Sequence, residues 1–191
     1  MLGDLITSKV RVKILNSLLE DPDNMYHVRE IVRRVNEEIN AVRRELILLE
    51  KKGILKKEPR SNRVYYFLDK AYPYYQDLLT IFAKSMGVGR DIIENKVKLG
   101  RIKYAMMSGK FIKGKKENPE SVDLLIVGTV VLPELALIVK TEENRRKKEI
   151  NYTVMTEEEF VFRKRRQDPF IYSVISGSRV MLIGDEESLT A

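Results

Sequence analysis

Apolar side chains recur at helical spacing through the first fifty positions. Val10, Ile14 and Leu18, with Leu15 and Leu19 beside them, predict a helix over Lys9–Leu19, with Ser8 as its cap. The run EDPDN breaks the pattern with proline and turn formers. A second helix is predicted within YHVREIVRRV, where Val28, Ile31, Val32 and Val35 share a face, and Asn36 can take the left-handed turn that ends it. The third follows at once. Ile39, Val42, Leu46 and Leu49 lie on one stripe, Asn40, Arg43 and Arg44 project away from it, and Gly53 closes it. ILKKEPRSNRVYYFL then holds two β-leaning runs separated by Pro59, Arg60, Ser61 and Asn62, the composition of a hairpin. Three short helices followed by a basic hairpin predict a winged helix-turn-helix over residues 1–70.

The pattern changes after Asp69. YPYYQDLLTIFAKSMG reads as a helix from about Tyr74 and GRDIIENKVKLG as another, a helical connector over 71–100. Tyr74, Leu78, Leu79 and Phe82 are candidates for a dimer contact there, and could equally pack inside one chain. From 101 to 184 strands and helices mix: IKYAMMSG, VDLLIVG, EINYTVM and SRVMLIG as strands, LPELALIVKTEENRRKK as a helix with Pro133 in its first turn, and TEEEF as a capping box. RKRRQDPF reads as an exposed helix end, with Phe170 and Ile171 anchoring the next segment. The acidic residues 185–191 read as a loose tail. The expected fold class is α+β, a winged helix-turn-helix, a helical connector and an α/β domain with a mixed sheet.

Composition narrows the chemistry. A chain of 191 residues suffices for one medium or two small domains, and 33% charged with 43% hydrophobic residues describes a folding globular protein. Thirty-five Lys and Arg against 28 Asp and Glu leave +7 at a pI near 9.4, which favours an anionic partner but also fits ordinary solvated surface. The absence of cysteine excludes disulfides, Cys-based zinc sites and thiolate catalysis. With His27 as the single histidine, a histidine metal site or a Ser-His-Asp triad is disfavoured, and burial or helix capping is the expected role. MLGDLITSKV carries an acidic residue and no long apolar run, so it reads as neither signal peptide nor spanning helix. A cytoplasmic location and no membrane partner are expected.

The arginines carry the sharpest expectation. A helix packed through its leucine face presents the opposite face, which the major groove of double-stranded DNA can accept. Arg43 and Arg44 could then pair with guanine edges or grip phosphates, Asn40 could reach an adenine, and Ala41 lies beside them on the helix. The competing explanation is a solvated surface with Arg43 or Arg44 paired to Glu38 or Glu45. Lys56, Lys57, Arg60, Asn62 and Arg63 would surround the tip of the hairpin and straddle the sugar-phosphate backbone. Lysines also blunt exposed strand edges, an equal alternative for Lys56 and Lys57.

The order SKVRVKIL, HVREIV, AVRRELILLEKKGIL, NRVYYFL, VDLLIVG, EINYTVMTEEEF, DPF and RVMLIG resembles ArsR-like winged helix-turn-helix transcriptional regulators fused to a nucleotidyltransferase-like domain. The resemblance spans nearly the whole chain and implies DNA binding, usually as a homodimer on near-palindromic half-sites. Nucleotidyltransferases of this superfamily carry a Gly-Ser turn after the first strand, two aspartates separated by one residue on the next, and usually a third carboxylate. These hold Mg²⁺ and the triphosphate. Here Ser108 precedes Gly109, in reverse order, with Lys110 following. Asp123 matches the second aspartate, Ser121 replaces the first, and Asn151 and Thr153 stand where the third carboxylate would be. One carboxylate is a poor metal site, so Asp123 is expected to be a structural strand-end acceptor. The resemblance then implies a retained fold with a degenerate nucleotide pocket, and no catalytic residue, metal or cofactor. The alternative is a Mg²⁺-dependent nucleotidyltransferase acting on a protein or small molecule, using Asp123 and an unrecognised second carboxylate; Glu117 and Glu120 precede the strand and could substitute, although nothing in the spacing demands it. From Lys96 to Lys116, Lys98, Arg101, Lys103, Lys110, Lys113 and Lys115 occur without an acidic residue. That charge would decorate a surface, suit a nucleotide or other phosphorylated effector, or extend a DNA footprint.

Overall fold

The computed structural model describes residues 6–115 and 121–191. The fold is α+β, and the chain divides into two compact units, residues 1–82 and 83–191.

In the first unit, α1 (Lys9–Leu19) is capped by Ser8, whose hydroxyl accepts the Arg11 N–H. A two-residue strand β1 (Tyr26–His27) leads directly into α2 (Val28–Val35), and Asn36 ends that helix at φ 50°. Then come α3 (Ile39–Lys51), β2 (Leu55–Arg60) and β3 (Arg63–Leu68). Leu15 and Leu18 of α1, Ile31 of α2 and Val42, Leu46 and Leu49 of α3 meet in one core, closed by Leu55 and Leu68. The antiparallel sheet has the order β1-β3-β2.

Two features differ from the sequence reading. β1 is an additional strand: Tyr26 pairs with Tyr66 and His27 with Tyr65. The hairpin turn is also tighter than four residues. Pro59 and Arg60 belong to β2, opposite Val64 and Arg63, and only Ser61 and Asn62 connect the strands, with Ser61 at φ 51°. Pro59 is tolerated because β2 lies at the sheet edge.

Helix α4 (Tyr75–Ser85) continues from the first unit into the second. Leu79 and Phe82, candidates for a dimer contact, are buried in the chain itself, whereas Tyr74 is exposed. The second unit contains α5 (Gly87–Glu94), β4 (Gly100–Ser108), α6 (Gly109–Ile112), β5 (Leu124–Val130), α7 (Leu132–Arg146) and β6 (Tyr152–Met155). It ends with α8 (Glu157–Arg165), α9 (Pro169–Ser176), β7 (Arg179–Ile183) and α10 (Glu186–Thr190). The sheet is mixed, with order β6-β5-β4-β7. β4 runs antiparallel to both neighbours, and β5 runs parallel to β6. Leu124 to Val127 of β5 form an unbroken buried run, as a strand covered on both faces requires.

The C-terminal residues are not a loose tail. Asp185 caps α10 by accepting the Ser188 N–H, and Leu189 is 0% exposed in a cluster with Tyr104, Val127 and Phe160. One leucine among five polar residues is a weak periodic signal, but its burial pins the helix.

Candidate functional site

Two carboxylates prepare α3. Glu38 stands at its N-cap and accepts the Ala41 N–H at 2.8 Å, so Ala41 serves the cap through its backbone while its side chain is half-buried. Glu45 accepts from the Ser8 hydroxyl at 2.6 Å and Arg11 Nε at 2.7 Å, tying α3 to α1. The two carboxylates weighed as partners for Arg43 and Arg44 are thus engaged elsewhere. Glu38 is held below its ordinary value first by the N–H groups of Asn40 and Ala41 and only then by the fields of Arg44 and Arg43. Burial pushes Glu45 up, but Ser8 and Arg11 outweigh it and hold it low. Arg43, Arg44 and Asn40 are exposed, and neither arginine forms an ion pair with any described residue.

A groove of about 520 Å³ runs beside them. The start of α2 contributes His27 and Arg29, α3 contributes Arg43 and Ile47, and the hairpin contributes Asn62, Arg63, Val64 and Tyr66. An adjoining hollow is lined by Arg29, Arg33, Ile39 and Arg63. His27 is the hinge of this arrangement. Its backbone pairs with β3, its Nδ1 accepts the Glu30 N–H at 3.3 Å to cap α2, and its ring meets Tyr65 edge-on at 5.8 Å. Sequence reasoning missed Arg29, Arg33 and Ile47. Arg29 and Arg33 stand one turn apart, opposite Ile31 and Val35, so helical spacing could have exposed them. That they face the hairpin depends on β1, which is too short to leave a periodic signal.

The hairpin carries one unpaired arginine at its tip and neutralised lysines at its base. Arg63 and Asn62 are exposed at the tip, and Arg63 has no ion pair among the described residues. Arg60, also at the tip, pairs with Glu58 at 2.7 Å and lies 5.8 Å from the Tyr65 ring centre. Lys56 and Lys57 do not surround the tip. The two-residue turn leaves them at the base, where Lys56 pairs with Asp69 at 3.0 Å and Lys57 with Glu50 at 3.1 Å.

In the second unit the proposed pocket residues are used structurally. Ser108 caps α6, its hydroxyl accepting the Phe111 N–H at 3.2 Å. Gly109 donates its N–H to the Ser178 carbonyl at 2.6 Å, and a Cβ there would lie 2.1 Å from the Ser178 hydroxyl. Serine 178 therefore occupies the space beside that turn. Asp123 accepts the Asn151 N–H at 3.0 Å through Oδ2, while its own N–H reaches the Asn151 carbonyl at 2.7 Å. Burial raises the Asp123 carboxyl above its ordinary value, opposed by the Asn151 N–H and the charges of Lys148 and Arg146. Ser121 is half-buried just before β5, and Lys110 is exposed on α6. Of the basic run, Lys103 pairs with Glu157 at 2.9 Å. Glu117, Glu120 and Lys116 lie outside the described residues. Among the described residues, no group of three His, Asp or Glu side chains could hold a metal ion, and no helix is long and apolar enough to cross a membrane.

No family model and no curated protein matches the chain. Among solved structures, reduced HlyU from Vibrio cholerae N16961 is similar over 42% of this chain and 77% of its own, at 22% identity and a TM-score of 0.34.

Proposed function

We propose that the protein is a sequence-specific, double-stranded-DNA-binding transcriptional regulator whose first unit is a winged helix-turn-helix. In this reading α3 is the recognition helix and the β2–β3 hairpin is the wing. The observation that carries it is the set Arg29, Arg33, Arg43, Arg44 and Arg63. All five are exposed and lack ion pairs among the described residues: Arg29, Arg43 and Arg63 line the groove, Arg33 lines the adjoining hollow and Arg44 follows Arg43 on α3, while Lys56, Lys57 and Arg60 are paired. Holding unpaired guanidinium groups together is electrostatically unfavourable in the free protein, and an anionic polymer reverses the sign.

Arg43 and Arg44 on the exposed face serve base edges or phosphates, while Arg63 at the wing tip and Arg29 and Arg33 on α2 serve the backbone. The protein acts as a cytoplasmic homodimer on paired half-sites. The second unit is a catalytically degenerate nucleotidyltransferase-like domain that can sense a phosphorylated ligand. Engagement of Asp123 by the Asn151 N–H supports the non-enzymatic role over Mg²⁺-dependent nucleotidyl transfer.

Selection from a random duplex library tests the central claim, comparing wild type with Arg44→Ala across a salt series. Loss of a guanine contact costs about 1–3 kcal/mol and relaxes one motif position, whereas loss of a phosphate contact weakens all sequences alike and flattens the salt slope. Failure to enrich any sequence overturns the reading. Incorporation of labelled nucleotide with Mg²⁺ would establish the enzyme instead.

A further inference from the structure

Ile47 breaks the polarity of the face on which it stands. At about 100° per residue, Asn40, Arg43, Arg44 and Lys51 spread over the side of α3 turned away from Val42, Leu46 and Leu49, and Ile47 falls near the centre of that spread. Its side chain is 57% exposed. Single exposed apolar residues are common on protein surfaces, but this one lines the same groove as Arg29, Arg43 and Arg63. Val64 of β3, also exposed, lines it as well.

Building on the reading of α3 as the helix that meets DNA, we infer that Ile47 forms a subsite for the C5-methyl group of thymine. It thereby selects a T·A pair near the site met by Arg43. Among the four bases, thymine presents a methyl group to the major groove, whereas the exposed edges of guanine, adenine and cytosine offer donors and acceptors. An isoleucine packed against those polar edges displaces their water and returns no hydrogen bond, so the wrong base is penalised as well as the right one favoured. The surrounding guanidinium groups supply the attraction that brings the apolar side chain to the groove. Four residues of helix advance about 6 Å and DNA about 3.4 Å per base pair, which places the thymine about two pairs from the contact of Arg43.

The test uses the full chain and the duplex it selects, with each thymine replaced in turn by deoxyuridine, which lacks only the methyl group. One replacement is expected to weaken wild-type binding about fourfold, the worth of burying one methyl-sized group. The same replacement should change the affinity of Ile47→Ala less than twofold. Because Ile47 is exposed, the variant should keep the wild-type melting temperature, and it should bind the deoxyuridine duplex about as well as wild type does. If no replacement weakens wild type, or if the loss persists undiminished in Ile47→Ala, the methyl subsite is overturned while DNA recognition by α3 stands. If no duplex is selected at all, the reading on which the subsite rests fails first.

Discussion

Asp123 and Glu142 are carboxylates of the same unit that burial penalises in the same direction, yet their ionisation behaves oppositely because their partners differ. Glu142 is 2% exposed, accepts from Arg145 Nη2 at 2.7 Å and is also bound by Arg146 Nε. Burial pushes it up, but these two guanidinium groups outweigh that and hold it below its ordinary 4.5. A depressed carboxyl stabilises the fold above its unfolded pKa and loses that contribution as pH falls through the folded one. Glu142→Gln should therefore melt below wild type above about pH 5.5, with the gap closing below pH 4.5. A gap that widened on acidification would contradict the assignment. Asp123 has one backbone N–H and two more distant cations, and burial prevails. Its raised pKa means that ionisation opposes folding as pH rises past its ordinary 3.8. Asp123→Asn keeps an oxygen acceptor for the Asn151 N–H and removes the half-buried charge. It should match or exceed wild-type stability at pH 7, whereas Asp123→Ala should cost about 1–2 kcal/mol by removing that acceptor. Urea titrations of both variants check this.

Elements differ in how far the chain alone reveals them. The three helices of the first unit were legible because their apolar residues repeat at one helical period and their ends carry distinct caps in Ser8 and Asn36. β5 was legible as an unbroken apolar run. β1 was not, because two residues carry no period and its pairing is decided by a partner forty positions away. α10 was hidden by its acidic composition and anchored by Leu189. The candidate site was legible to the same degree: periodicity exposes Arg43 and Arg44, but only the close turn at Ser61 and Asn62 distinguishes the free Arg63 from the neutralised Lys56 and Lys57. The contact of α5 with α7 was equally invisible. Gly87 sits at φ 54°, and a Cβ there would lie 2.5 Å from Glu142 Oε1. Gly87→Ala thus meets both an unfavourable backbone conformation and the buried carboxylate. It should destabilise by about 2 kcal/mol, read by thermal unfolding, because an alanine cannot relax at φ > 0 without moving the first turn of α5.

At the scale of the whole molecule, charge excess says less than charge placement. The surplus of Lys and Arg is shared by both units, so it does not by itself identify the part that meets DNA. The difference lies in pairing. Lys56 and Lys57 of the hairpin base and Arg11 and Lys13 of α1 are held by acids, while the arginines lining the groove are not. This makes the salt dependence of binding a measure of both the footprint and the stoichiometry. If Arg29, Arg33 and Arg63 each displace a counterion from a phosphate, the slope of log K against log salt should be about −3 for one protomer and about −5 to −6 for a dimer on paired half-sites. Arg63→Gln should reduce the magnitude by about 1 per protomer without altering the selected sequence, while Lys57→Gln should leave the slope unchanged because Glu50 already neutralises it. Equal effects of the two substitutions would mean that the ion pairs at the hairpin base open on binding and that the footprint extends beyond the groove. A dimer would also select half-sites about 10 base pairs apart, centre to centre, and the steeper slope and the repeated motif must appear together because both follow from the same two-fold arrangement.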